Sequence, residues 1–182
     1  MQPKFINLLM NRHKKMIKYI CLILALTTFS VNAMEAPRHI GDYGDWAAYT
    51  YKENGKNVCY MASTPKKDEG KYTKRGDIYA IITHRPAEKS FDVVNFVAGY
   101  NYKEESKAVV KIGKETFNLF TADDKAWTYT AQDDVKLVAA MKRGERMIVD
   151  GVSSRGTKTK DTYSLKGFMR AYKAISAKCG KK

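Results

Sequence analysis

Thr83-His84-Arg85-Pro86 is the segment whose residue types come closest to a catalytic motif. An imidazole titrates near neutral pH and can act as a general acid or base, so a hydrolase-like enzyme using His84 is one hypothesis. No serine or cysteine lies in a Gly-x-Ser-x-Gly nucleophile pattern, which weakens that hypothesis. The alternative is a structural histidine at the end of a strand, hydrogen-bonded to a turn.

Basic residues form three clusters along the sequence. Lys and Arg number 33 against 19 Asp and Glu, which gives a formal net charge of +14. Such an excess favours anionic partners such as lipid headgroups and acidic glycans, although solvated lysines also keep a protein soluble. The first cluster comprises Lys66, Lys67, Lys71, Lys74 and Arg75, the second comprises Lys142, Arg143 and Arg146, and the third comprises Arg155, Lys158 and Lys160. The candidate binding surface comprises Arg75, His84, Arg85, Lys142, Arg143, Arg146, Arg155, Lys158 and Lys160.

Three further patterns bear on ligands. Residues 152–157 contain hydroxyls, an arginine and a glycine and resemble an anion-binding loop, although a β-turn is the simpler interpretation and no nucleotide-binding loop pattern is present. Trp46 and Trp127 could stack on sugar rings or pack in the core. Trp46 is expected in the core, and for Trp127 the sequence does not decide between the two roles. The cysteines and histidines lack the paired spacing of zinc ligands, so no metal or other cofactor is predicted.

Residues 1–33 are predicted to be a secretory signal peptide. They contain five Lys or Arg and no acid, then an uncharged run at residues 19–29, then small residues ending at Ala33. That run is shorter than the ~20 residues of a membrane span. The start codon is Met1, Met10 or Met16. We expect export to the periplasm, the outer membrane or the medium, and a single domain at residues 34–182 without a transmembrane span.

Two cysteines remain after removal of the predicted leader, Cys59 and Cys179. Export to an oxidising compartment favours a disulfide between them, with two buried free thiols as the alternative.

The elements that must position these residues are mostly β-strands. Strands are predicted at residues 46–51, 58–62, 77–84, 91–100, 108–112, 115–120, 127–129 and 147–152, from their period-two alternation and turn residues. Residues 34–42 are expected to be a mobile arm, and residues 65–74 and 153–160 loops. The fold class predicted is mainly β: an antiparallel β-sandwich or barrel-like domain with one short helix and a C-terminal helix packed on it.

The two helices are predicted from caps and apolar spacing. Asp133 or Asp134 is expected to cap the first, with Val135, Val138 and Met141 facing inward and Gly144 ending it. Ser164 is expected to cap the second. Its apolar stripe comprises Leu165, Phe168, Tyr172, Ile175 and Cys179.

Several segments together resemble the invasion-associated locus B family of exported bacterial proteins. They are Gly44-Asp45-Trp46, Asn57-Val58-Cys59-Tyr60, Arg75-Gly76-Asp77-Ile78-Tyr79, residues 138–144, residues 151–157 and Asp161-Thr162-Tyr163-Ser164-Leu165-Lys166-Gly167-Phe168. The resemblance implies a secreted, mostly β domain with a C-terminal helix, associated with host-cell invasion in some pathogens. It supplies no catalytic residues.

Three functions follow as hypotheses. The first is a non-enzymatic envelope or host-surface factor, accessory to host-cell invasion through a basic surface. The second is a periplasmic hydrolase-like enzyme using His84. The third is a periplasmic assembly or chaperone module, which would show an open sheet edge or an apolar groove. The expected partners are anionic envelope or host-surface components, or a protein. Nucleic acid is not expected, because export separates the chain from it and no nucleic-acid module is visible.

Overall fold

The computed structural model describes residues 35–181, which belong to one compact unit. The predicted signal peptide lies outside the described residues. The strands are β1 (Arg38–Tyr43), β2 (Trp46–Glu53), β3 (Lys56–Ser63), β4 (Lys67–Gly70), β5 (Tyr79–Arg85), β6 (Ser90–Val97), β7 (Lys107–Ile112), β8 (Glu115–Ala122), β9 (Lys125–Trp127), β10 (Arg146–Val152) and β11 (Lys158–Ser164). The helices are α1 (Ala131–Arg143) and α2 (Phe168–Lys178), with a 3-10 turn at Pro86–Glu88.

All eleven strands form one antiparallel sheet in the order β1-β2-β3-β5-β6-β9-β8-β7-β10-β11-β4. The sheet is open, with β1 and β4 at its edges, and α2 packs against β1, β2 and β3. The predicted fold class, a mostly antiparallel sandwich-like domain with a C-terminal helix, is confirmed.

The β2–β3 connection shows how the local sequence sets the strand register. Asn54 and Gly55 both adopt positive φ, at 51° and 75°, and Glu53 pairs with Lys56 across the turn. Such two-residue turns match the twist of the strands they join, which is why Asn-Gly predicts a hairpin.

Both edge strands were missed by the sequence prediction. The expected mobile arm contains β1, and the expected loop at residues 65–74 contains β4. Neither strand has the period-two apolar pattern on which the prediction relied. Each is held by main-chain hydrogen bonds to a neighbour, β1 to β2 and β4 to β11, so its side chains need not be apolar. A third strand, β11, was also missed: it begins within the expected loop at residues 153–160, and its buried residues include the polar Thr159 and Asp161.

The two helices begin at residues other than the predicted caps. Thr130 caps α1: its Oγ1 accepts a hydrogen bond from the Asp133 N–H at 3.2 Å and donates to Asp133 Oδ2 at 2.8 Å. Val138 and Met141 are buried as predicted, but Val135 is 49% exposed and Leu137 takes the inward position. The prediction that Val135 faces inward was wrong, because it assigned too wide an arc of the helix to the buried face.

Gly167, not Ser164, precedes α2. Its φ is +91°, and a Cβ there would overlap the Tyr43 carbonyl oxygen, so no other residue fits this entry to the helix. The predicted apolar stripe of α2 is confirmed: its five members are all buried. Trp46 lies edge-on to Phe168 at 4.9 Å between ring centroids.

The predicted disulfide is present in the structure. Cys59 on β3 is bonded to Cys179 at the end of α2, with their Cα atoms 6.0 Å apart. Both residues are buried, so the bond fixes the C-terminal helix to the centre of the first strands.

Among the described residues, no helix has the length and apolar character needed to cross a bilayer.

Candidate functional site

A cleft between loops collects basic residues that are distant in the sequence. It is bounded by residues 71–76, which follow β4, and by the β10–β11 turn at residues 153–157, with residues 99–101 completing its wall. Its volume is about 610 Å³. The charged residues that line it are Lys71, Lys74, Arg75 and Arg155, and no carboxylate lines it.

Main-chain hydrogen bonds hold these loops to one another. The Gly76 N–H donates to the Gly99 carbonyl at 2.9 Å, and the Ser154 N–H donates to the Asn101 carbonyl at 2.7 Å. The Ser153 hydroxyl accepts from the Thr157 N–H at 3.1 Å and closes the turn. The β-turn interpretation of residues 152–157 is therefore confirmed, and the turn borders a cationic cleft.

Arg75 lies beneath the cleft, so its assignment to the binding surface was wrong. Its side chain is 4% exposed, and its two terminal nitrogens donate to the two carboxylate oxygens of Asp161, each at 2.7 Å. Its Nε donates to the Ala98 carbonyl at 2.7 Å, and the rings of Tyr72 and Tyr100 lie over the guanidinium. Arg75 thus connects the loop after β4 to β11 and to the end of β6.

Burial acts in opposite directions on the two members of this pair. It raises the pKa of the Asp161 carboxyl. Burial alone would lower the pKa of Arg75, but the hydrogen bonds to Asp161 outweigh it and raise that pKa. The bidentate contact is the geometry in which both groups are charged, so the ionised pair is the form that the structure supports.

Three exposed cations line the cleft, Lys71, Lys74 and Arg155. Two more, Lys158 and Lys160, lie in an adjoining depression that Glu69 and Asp150 also line, and we call these five cations the first basic site. Within residues 35–181 none of them forms an ion pair. Pairing of β4 with β11 brings the first and third sequence clusters together here. Tyr72, Tyr100 and Asn101 also line the cleft and were missed, because no sequence signal shows which loops meet at a sheet edge.

The second sequence cluster lies elsewhere. Arg143 and Arg146 line a depression of about 930 Å³, together with Lys111 and Lys114 from the β7–β8 hairpin. We call these four cations the second basic site. Glu115 and Glu145 also line this depression, so it is less cationic than the first.

Arg85 and Lys142 belong to neither basic site. Arg85 is 30% exposed and pairs with Glu53. The ammonium of Lys142 lies over the ring of Tyr172, 3.7 Å from its centroid, and burial lowers the pKa of this lysine. Both side chains are committed to contacts within the domain.

His84 is fully buried, so its assignment to the binding surface was also wrong. It lies on β5 between the rings of Phe91 and Tyr172, and it lines none of the clefts described above. The Asp92 main-chain N–H donates to its Nδ1 at 3.1 Å. This is the structural role that the sequence left as the alternative.

The hydrogen bonds of His84 run opposite to those of a catalytic base. Because Nδ1 accepts a hydrogen bond, Nε2 carries the proton and donates to Ser176 Oγ at 3.2 Å. A base would accept from the serine and donate to a carboxylate. The Asp92 carboxylate instead accepts from the Tyr172 hydroxyl at 2.7 Å and pairs with Lys181.

Burial of His84 predicts an acid-sensitive fold. Desolvation lowers the pKa of His84 from 6.5 to about 4. The folded state therefore favours neutral imidazole, and the stability this contributes is present above pH 6.5 and is lost as the pH falls towards 4. The expected loss is about 3 kcal/mol of unfolding free energy.

Chemical denaturation across that pH range measures this loss. His84→Gln cannot titrate, so its unfolding free energy should fall less steeply over the same interval. Equal slopes for the variant and the wild type would contradict the assignment to His84.

The two tryptophans have different environments. Trp46 is 1% exposed, and its indole N–H donates to the Ser164 carbonyl at 3.0 Å, which confirms it as a core residue. Trp127 stacks on Phe120, which also contacts Tyr129. Phe120 and Tyr129 are exposed, and the three rings border a largely apolar depression of about 530 Å³.

The edges of the sheet are poorly suited to capturing another strand. The edge strand β4 has four residues, three of them charged, and β1 has an irregular register between His39 and Gly41. Short, charged or bulged edges are features that oppose strand addition. Residues 35–181 contain no group of three or more His, Cys, Asp or Glu placed to hold a metal ion.

Comparison with known proteins agrees with this fold. The crystal structure of invasion associated protein B from Bartonella henselae is similar, with a TM-score of 0.53 and 14% sequence identity, covering 78% of this chain and 97% of that chain. No match was found among curated protein sequences. The family model of the invasion associated locus B protein matches residues 46–176. This chain therefore belongs to the invasion-associated locus B family.

Proposed function

We propose that this protein is an exported, non-enzymatic factor of the bacterial envelope or host surface, accessory to host-cell invasion, that binds anionic groups through the first basic site. The observation that carries this proposal is a cleft lined by cations and by no carboxylate. In a domain with many surface ion pairs, the three exposed cations that line the cleft, Lys71, Lys74 and Arg155, form none within the described residues, so their charge is available to a ligand.

Export is supported by two independent features. Residues 1–33 have the basic and apolar pattern of a leader that directs secretion, and a buried disulfide is typical of proteins that fold in an oxidising compartment. Family membership agrees with both.

A binding role is favoured over hydrolysis because, among residues 35–181, the one histidine with a nearby serine and acid is sealed from solvent. His84 is fully buried, and its proton lies on the nitrogen that faces Ser176. A substrate would have to open the core to reach it.

Binding to an acidic glycan such as immobilised heparin tests the proposal. Charges exposed to solvent are screened over ~8 Å at physiological ionic strength, so retention should fall steeply as salt is raised. The variant Lys71→Gln/Lys74→Gln/Arg155→Gln should bind on the order of tenfold more weakly than the wild type.

The matched control is Lys52→Gln/Lys56→Gln/Lys173→Gln. It removes the same charge from exposed residues that line neither basic site. An equal loss of retention in both variants would show that net charge, and not the cleft, determines binding. Retention that does not change with salt would exclude an electrostatic site.

A further inference from the structure

We propose that the second basic site also binds anionic groups, and that one polyanionic glycan chain occupies both basic sites at once. This inference rests on the proposed function of the first basic site and adds a second point of attachment. It makes the domain bivalent for a single extended ligand.

The length of β10 sets the distance between the two basic sites. Arg146 is the first residue of this strand, and the turn at residues 153–157 begins directly after its last residue, Val152. Seven residues of extended strand span about 20 Å. Because β7 and β11 hold β10 on its two sides, this separation is fixed by the centre of the sheet.

The second basic site keeps cations available to a ligand. Lys114 and Arg146 are exposed and have no ion pair within the described chain. Lys111 pairs with Asp150 at 2.7 Å and Arg143 with Glu115 at 3.1 Å. Exposed pairs of this kind contribute little free energy, so an incoming anion can compete for these cations.

A role in stabilising the fold accounts for only some of the cations of the second basic site. Arg143 lies in the last turn of α1, where a cation stabilises the helix dipole. Lys114 comes from the β7–β8 turn and Arg146 from β10, and neither has that role. Residues from three different elements therefore converge on one depression.

The shape of the sites selects the kind of ligand. Both are depressions in the surface, of about 610 and 930 Å³, and they lie at opposite ends of β10. A flexible chain with repeated sulfate or carboxylate groups can enter both depressions, whereas a flat membrane meets only their rims. Binding at the second site then becomes intramolecular and raises affinity without new contacts.

Calorimetric titration with size-fractionated heparin oligosaccharides tests the proposal. Fragments shorter than the strand should bind the wild type weakly, two per chain. Fragments long enough to span both sites should bind one per chain, with affinity higher by on the order of 10². The variant Lys114→Gln/Arg146→Gln should bind one short fragment and lose the gain with length. Lys52→Gln/Lys56→Gln, with the same charge change, should keep it.

The outcomes separate the two proposals. One short fragment per wild-type chain, or a gain with length that persists in Lys114→Gln/Arg146→Gln, would overturn bivalent binding and leave the first basic site intact. Binding of anionic phosphatidylglycerol vesicles that heparin cannot displace would identify a lipid surface as the ligand and would also overturn it. Failure to bind any fragment at low salt would contradict the proposed function itself. Unchanged thermal unfolding of the variants shows that each is folded.

Discussion

Replacing both half-cystines, Cys59→Ala and Cys179→Ala, is expected to lower the free energy of unfolding by roughly 2–5 kcal/mol. The bond joins residues 120 positions apart, so in the unfolded chain it closes most of the domain into one loop. In the chain-entropy account, a loop of about 100 residues is worth roughly 4.7 kcal/mol at 25 °C.

The loss of stability should appear first at the C-terminus. Cys179 ends α2, and Lys181 just beyond it pairs with Asp92, so the bond holds the last turn against β3 and β6. Without the bond, α2 should become sensitive to protease before the rest of the sheet. Denaturant unfolding of the oxidised protein, the reduced protein and the double variant gives the measurement, and the last two should agree.

Thiol counting on the denatured, unreduced protein that lacks residues 1–33 provides the control. No free thiol is expected. Two free thiols per chain would refute the bond, and a covalent dimer on a non-reducing gel would place the partner cysteine on another chain.

Local patterns were sufficient to predict most of the fold. Asn54-Gly55 and Gly113-Lys114 specify tight turns, so their hairpins follow from adjacent residues. The apolar stripe of α2 indicates which face is buried, and cysteine number and export together indicate the disulfide. In each case the residues that allow the prediction belong to the short segment that is predicted, or the prediction follows from the number of cysteines.

The candidate site depends on pairings that are distant in the sequence. The first basic site exists because β4 pairs with β11, which brings Lys71 and Lys74 in the loop after β4 close to Arg155 in the β10–β11 turn. In the sequence, Arg75 cannot be distinguished by its charge from Lys71 and Lys74. In the structure, Arg75 is paired with Asp161 beneath the cleft, whereas the two lysines are exposed. Nor could a polar segment reveal that His84 is covered by α2, because burial depends on what packs from elsewhere.

Arg75→Met is expected to be as damaging as loss of the disulfide, at roughly 3–5 kcal/mol of unfolding free energy. The substitution leaves the Asp161 carboxylate buried without a partner, and an uncompensated buried charge is costly. It also removes the contact to the Ala98 carbonyl that fastens the loop after β4. Affinity of the first basic site for heparin should therefore fall although no exposed cation has changed.

A change of pH distinguishes an unpaired charge from a simple packing defect. Burial raises the pKa of Asp161, and in Arg75→Met the hydrogen bonds that oppose this rise are gone. The pKa of Asp161 is therefore higher in the folded variant than in the unfolded chain. The stability deficit relative to wild type should then be largest at neutral pH and shrink as the pH falls through that raised pKa. Arg75→Met/Asp161→Leu removes both charges and should recover most of the loss at neutral pH. A deficit that is independent of pH and persists in the double variant would show that Arg75 acts by filling space, and that the ion pair does not hold the cleft together.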